Sequence, residues 1–199
     1  MRSIGSTENN NPTSQWYTEY ELDHGMTDGP AITNRIPLEC NLDLLNYISF
    51  SKGCYVGQEL TAQTKFKGLV RKRLFPFSVT ASKQIEVGAR VFRSSENYEA
   101  TKIKPVGEIV HLNESNTRGL AMVNLEVVGE QQTTNLLVIS LPKVESLTED
   151  TDESAGGSSA ILTGEEYRTY VEGDRSSSIT VTRPAWMQSL DVVSGKQKE

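Results

Sequence analysis

The chain of 199 residues is long enough for one large domain or two small ones. Hydrophobic residues make up 36% of it, and the mean hydropathy of -0.43 is low for a chain packed throughout. A net charge of -6 and a pI near 5.1 argue against general nucleic-acid binding, and no apolar run approaches the roughly 18 residues a membrane helix needs, so a soluble protein is expected.

Residues 1–15, "MRSIGSTENNNPTSQ", have little to bury and read as a disordered tail. Met1 to Pro30 has no apolar segment and carries Glu8, Glu19, Glu21 and Asp23 against Arg2, so it reads neither as a signal nor as a transit peptide. Either the protein is not imported or Met1 is not its natural start. "WYTEYELDHGMTDG" fits a short amphipathic helix with Trp16, Tyr20 and Leu22 facing a core and Gly25 as its stop. In "NLDLLNYISFS", Leu42, Leu45 and Ile48 recur at helical spacing, with Asn41 as N-cap.

From residue 69 the period changes to two. "LVRKRLFPFSV" alternates loosely, and Pro76 favours an edge strand or a bulge. "VGARVF", "PVGEIVHLN", "RGLAMVNLEVV" and "TNLLVISLP" follow as short β-rich runs punctuated by Gly88, Gly107, Gly119 and Gly129. Such spacing predicts a small antiparallel barrel or sandwich. Residues 143–174 break the pattern with an acidic, Ser/Gly-rich run that reads as a flexible insertion. "SSSITVTRPAWM" then reads as a returning last strand, with Trp186 packed on the barrel and a loose tail after Leu190.

"SKGCYVGQE", residues 51–59, is too polar and glycine-rich for core, yet it holds one of the two cysteines. Two cysteines do not make an extracellular disulfide framework, which favours a reducing compartment. With His24 and His111 as the only histidines, no zinc-finger spacing exists, and a metal site built wholly from this chain is not expected. Gly53 and Gly57 predict a tight, exposed turn, and "GQELTAQTKF" a helix with Glu59 in its first turn. Lys52 and a helix start nearby both favour a thiolate at Cys54, the form that attacks electrophiles and binds iron, zinc or copper. The bland alternative, a small half-buried residue in a turn, stays open. Cys40, in "IPLEC", has no cation or base beside it and reads as inert core. For Cys-His catalysis, "LDHGM" reads as a helix end and "EIVHLN" as a strand, and no hydrolase signature surrounds the cysteine. No catalytic residue is assigned.

Residues 51–74, "SKGCYVGQELTAQTKFKGLVRKRL", closely resemble the K-G-C-Y-x-G-Q-E signature of the iron–sulfur cluster assembly factors related to the glycine-cleavage aminomethyltransferase, the YgfZ-like folate-binding family. "IPLECNLDLLNYISF" upstream and "VGEIVHLNESNTRGLAMVNLE" downstream are similar as well, so the resemblance covers residues 16–142. It implies an α+β chain: the end of an aminomethyltransferase-like folate-binding domain over 16–68, then a C-terminal antiparallel β-barrel over 69–190. By the same resemblance the chain looks like the C-terminal section of a longer protein, without the upstream aspartate of the true aminomethyltransferase. Glu21 falls where relatives carry an arginine near the folate pocket.

The resemblance implies a mitochondrial matrix protein that supports four-iron cluster maturation with A-type scaffold proteins. Cys54 would then be the metal ligand, sharing a cluster with the partner, and Lys52 would offset cluster charge. Gly53 and Gly57 would let another backbone approach, and Gln58 and Glu59 would cap the turn or bond across the interface. Tyr55 completes the implied binding set. The other implied activity is folate-dependent one-carbon transfer, with tetrahydrofolate as cofactor. The basic run Lys65, Lys67, Arg71, Lys72 and Arg73 reads as a solvated strand edge, or as a dock for an acidic partner or a polyglutamylated folate tail, with nucleic acid a third alternative that the net charge of -6 disfavours.

Overall fold

Alternating side chains in six runs put one apolar row per strand on a common inner face. The structure is a computed structural model and describes residues 12–27, 29–80, 85–94, 102–140, 161–172 and 176–187. Its strands are β1 (Lys72–Val79), β2 (Arg90–Arg93), β3 (Gly107–Leu112), β4 (Arg118–Asn124), β5 (Thr133–Ile139) and β6 (Ser176–Thr182). They pair in the order β1-β4-β3-β2-β5-β6, antiparallel throughout, and β6 returns to β1 to close a barrel. The helices beside the sheet agree with the α+β class, and of the barrel or sandwich expected from the two-residue period the structure forms the barrel. The helices are α1 (Pro12–Asp23), α2 (Gln58–Phe66), α3 (Leu125–Val128) and α4 (Gly164–Glu172).

The barrel interior is filled by Phe75, Phe77, Val91, Ile109, Val123 and their neighbours on β5 and β6, with Trp186 packed against them. At about 1.5–3 kcal/mol for each large apolar side chain buried, this cluster is the main source of stability. Gly119 is required where β3 and β4 meet Phe77, because a Cβ there would collide with the His111 carbonyl oxygen and lie 2.9 Å from the Phe77 ring. β1 is buried on both faces from Arg73 to Phe77, since its outward Leu74 joins Leu120, Met122, Leu22 and Cys40 in a second cluster. The segment from α1 to residue 42 therefore packs onto the outside of the barrel. Arg118 fastens α1 there through Glu19 and Asp23.

Pro76 lies on the stretch of β1 that β6 does not reach, so one side of it is a local edge as expected, and it is not in a bulge. The Leu74 N–H points away from β4 and donates to Glu39 O at 3.1 Å. Pro76, two residues on, turns its nitrogen the same way, just before pairing with β6 starts at Phe77. No ladder bond is lost, so the proline fits.

Other expectations are corrected. α1 begins at Pro12, inside the expected tail, and residues 1–11 lie outside the described residues. Leu22 is buried, but Trp16 and Tyr20 are exposed and stack on one another at 5.8 Å. Residues 41–46 form turns rather than a helix, because Asn41 and Asn46 adopt left-handed φ of 64° and 61°. Asparagine tolerates that region, and it interrupts a right-handed helix. Asn41 is not an N-cap: its side-chain amide donates to Gly25 O and Leu74 O. "NLEVV" leaves β4 as the short helix α3.

Within the expected insertion, Leu162 bridges to Ile103, and α4 follows with Thr163 and Glu166 bonded reciprocally as a capping box. The cap hydrogen bonds hold the Glu166 carboxyl below its usual range. Tyr167 is buried against Phe92 and donates to Arg93 O at 2.8 Å. The rest of 143–174 and the tail from residue 188 lie outside the described residues.

Candidate functional site

The motif stands on a stapled base. Arg73, fully buried on β1, donates to both carboxylate oxygens of Asp43 at 2.8 and 3.0 Å and to Leu38 O at 2.6 Å. Planar two-point pairing of this kind suits arginine and gives the turn a fixed register on the strand. Asn41 Nδ2, bonded to Leu74 O at 2.8 Å, adds a second tie. Between Asp43 and Arg73 only Thr61 and Val70 are buried, so this whole stretch rises from the barrel as an excursion carrying the motif and α2. Arg73 therefore does not belong to a solvated basic edge. Of the other cations in that run, Lys67, Arg71 and Lys72 are exposed, and Lys65 lies over the Phe50 ring at 5.4 Å.

Residues 52–55 have no regular structure, and Cys54 is exposed. Gly57 takes φ 85°, the left-handed region, and serves as N-cap of α2, with Glu59 in the first turn. The helix N-terminus thus belongs to Gly57, and Cys54 lies before the turn rather than at the cap. Gln58 closes that turn from both sides: its N–H donates to Tyr55 O at 3.1 Å, and its side-chain carbonyl accepts the Tyr55 N–H at 3.2 Å. Lys52 lies over the Tyr55 ring, 5.0 Å from its centroid, which keeps the ammonium on the turn that carries the thiol. Gly53 has nothing within 4 Å of where a Cβ would stand, so the backbone beside Cys54 is open to approach.

Lys52, Gly53, Cys54, Tyr55, Gly57, Gln58 and Glu59 thus share one exposed turn and the first turn of α2. The contrast with Cys40 is complete. Cys40 is 3% exposed among Leu22, Leu74 and Met122, and burial pushes its thiol up to about 11. His24 bonds and stacks on Tyr20, while His111 sits on β3; among the described residues no hydrogen bond joins either to Cys54. No group of three or more His, Cys, Asp or Glu able to hold a metal ion exists among the described residues. One thiol at the surface can supply one ligand, so a cluster bound at Cys54 needs further ligands from elsewhere.

Sequence reasoning missed two parts of this site. The staple was hidden because an arginine in a basic run reads as surface. The other is apolar: Tyr47, Val56, Leu60, Phe66 and Leu69, on both sides of the thiol and along α2, are all exposed. Exposed large apolar side chains that gather around a motif mark a contact surface. Their signal was present in "YVGQEL" and "KFKGLV", where the apolar residues have no period that would bury them.

No family model matches the chain. It is similar to proteins named as the mitochondrial iron-sulfur cluster assembly factor IBA57. It is 63% identical to the Homo sapiens protein over 41 residues, 21% of this chain and 12% of that one. Against the Dictyostelium discoideum homolog it is 49% identical over 73 residues, 35% of this chain and 18% of the relative. Against the Neosartorya fischeri homolog it is 44% identical over 75 residues, 36% and 17%. The chain spans less than a fifth of the length of these relatives. Among the described residues no helix is long and apolar enough to cross a membrane.

Proposed function

We propose that the protein acts in mitochondrial iron–sulfur cluster assembly, presenting Cys54 as one ligand to a cluster whose other ligands come from an A-type scaffold protein. The observation that carries this reading is an exposed thiol on an open glycine turn, set on a stapled base. Relatives named as mitochondrial iron-sulfur assembly factors support it.

The parts of the turn take distinct roles. Lys52, anchored on Tyr55, offsets the negative charge that thiolates and sulfide bring to a cluster. Gly53 leaves room for the partner's backbone, and Gln58 fixes the turn from within. Val56, Leu60 and Phe66 give the partner apolar area to bury around the shared ligand. The aminomethyltransferase-like ancestry and a matrix location belong to the same proposal. An aminomethyl-transfer enzyme is the competing reading, tested by tetrahydrofolate-dependent turnover.

The deciding experiment mixes the protein with an A-type scaffold, iron and sulfide without oxygen and records the visible absorption and circular dichroism of the cluster. Cys54→Ser should remove the spectrum of the mixed complex, because an alcohol is a poor ligand for iron, while Cys40→Ser should leave it. An unchanged spectrum with Cys54→Ser would overturn the ligand role.

A further inference from the structure

A cleft of about 740 Å³ lies on the outer face of the barrel, away from the interior cluster, where the 33–39 segment crosses the strands. That volume is in the range of small-molecule sites. Its cations are Arg35, Lys72, Arg90 and Lys104, and its acids are Glu39 and Glu108. Four positive against two negative groups leave a surplus of two positive charges in a protein whose net charge is -6.

The register of the barrel explains how these charges come together. Leu74, Met122, Glu108 and Arg90 are successive cross-strand partners on β1, β4, β3 and β2, so they share one outward face. Lys72, two residues before Leu74, projects to the same side. The row spans three strand-to-strand steps, about 14 Å from the strand of Lys72 to that of Arg90. In the middle, Glu108 is held by Arg35 at 2.6 Å and by Arg90 at 2.8 Å, so its charge is already neutralised.

Arg35 is fixed further by its Nε–H, which donates to Ala31 O at 3.0 Å. Ile36, Pro105 and Met122 add apolar wall beside this row. Burial raises the Glu39 carboxyl, against the pull of Lys72 and Arg35. The cleft is therefore cationic at Lys72 and at Lys104, with the ion-paired Glu108 and the side chains of Ile36 and Pro105 also lining it.

We propose that this cleft binds an elongated organic dianion, one acidic group at Lys72 and the other at Lys104, with an apolar body lying along Ile36 and Pro105. An inorganic anion would leave the apolar wall uncovered and one end of the cleft unmatched. None of these residues belongs to the Cys54 turn, so this site stands or falls apart from the cluster proposal.

Isothermal titration at low ionic strength with suberate, succinate and octanoate tests it, because the three separate length from charge. Suberate should bind at least about tenfold more tightly than either succinate or octanoate, the loss expected for one charge-assisted contact. Lys72 and Lys104 are both exposed, so Lys72→Ala with Lys104→Ala should keep the circular dichroism spectrum and lose at least that factor for suberate. Lys104→Ala alone should bring suberate down to the level of octanoate. No binding of suberate, equal affinity for suberate and octanoate, or unchanged affinity in the double variant would each overturn the proposal.

Discussion

The barrel and the excursion between Asp43 and Arg73 are held by different forces. In the barrel nearly every large side chain has packed neighbours, and close contacts such as Gly119 against Phe77 leave no room for an added methyl. In the excursion two residues are buried, Tyr47, Val56, Leu60, Phe66 and Leu69 are exposed, and one buried ion pair with one asparagine fixes the ends. The two cysteines sample both regimes. The difference teaches that the fold's stability and the motif's exposure are separate properties, joined only at the staple.

Breaking the staple should have the largest effect. Asp43→Ala removes the carboxylate that pairs with the buried Arg73 and should cost about 3–5 kcal/mol, read as a lowered midpoint in urea. If the loss is below about 1 kcal/mol, the size of an exposed ion pair, the base is not the anchor described. Gly119→Ala should cost about 1–3 kcal/mol through overpacking in the barrel. In the excursion, Gly57→Ala has open space around it and pays only the left-handed φ, about 1–2 kcal/mol.

The thiols sharpen the comparison. Alkylation at neutral pH with mass mapping should label Cys54 and spare Cys40 in the folded protein. Because the folded Cys40 thiol titrates near 11 rather than 9.0, its contribution to stability is complete below pH 9 and falls away as the pH rises from 9 to about 11. Cys40→Ala should remove that part of the alkaline decline. The smallest effect is expected for Cys54→Ser, within about 0.5 kcal/mol of the parent, since an exposed turn buries little.

Much of the barrel was legible, because period-two runs separated by glycine and asparagine leave few alternatives. What was hidden was hidden by charge or by backbone. Arg73 carries no sign of its burial, since its partner Asp43 lies thirty residues away in sequence. α4 was masked by an acidic composition, although Leu162 and Tyr167 supply the apolar side that packs on Phe92. The 41–46 turns kept a helical spacing of leucines, and only the left-handed asparagines betray them. The exposed turn at 51–59 followed directly from its glycines. The cation on the Tyr55 ring did not, because sequence spacing does not give side-chain direction.

Among the described residues, β6 closes on β1, so the barrel has no edge strand left wholly unpaired for a foreign segment to extend. Even the stretch of β1 that β6 does not reach is occupied, by the Glu39 carbonyl at Leu74 and by a proline that has no hydrogen to offer. Closure thus disfavours recruitment by β-augmentation on the described barrel and favours docking that reads side chains. Extended peptide mimics should therefore be poor competitors for any partner of this protein, whereas a folded surface shaped to α2 and its glycine turn should compete well.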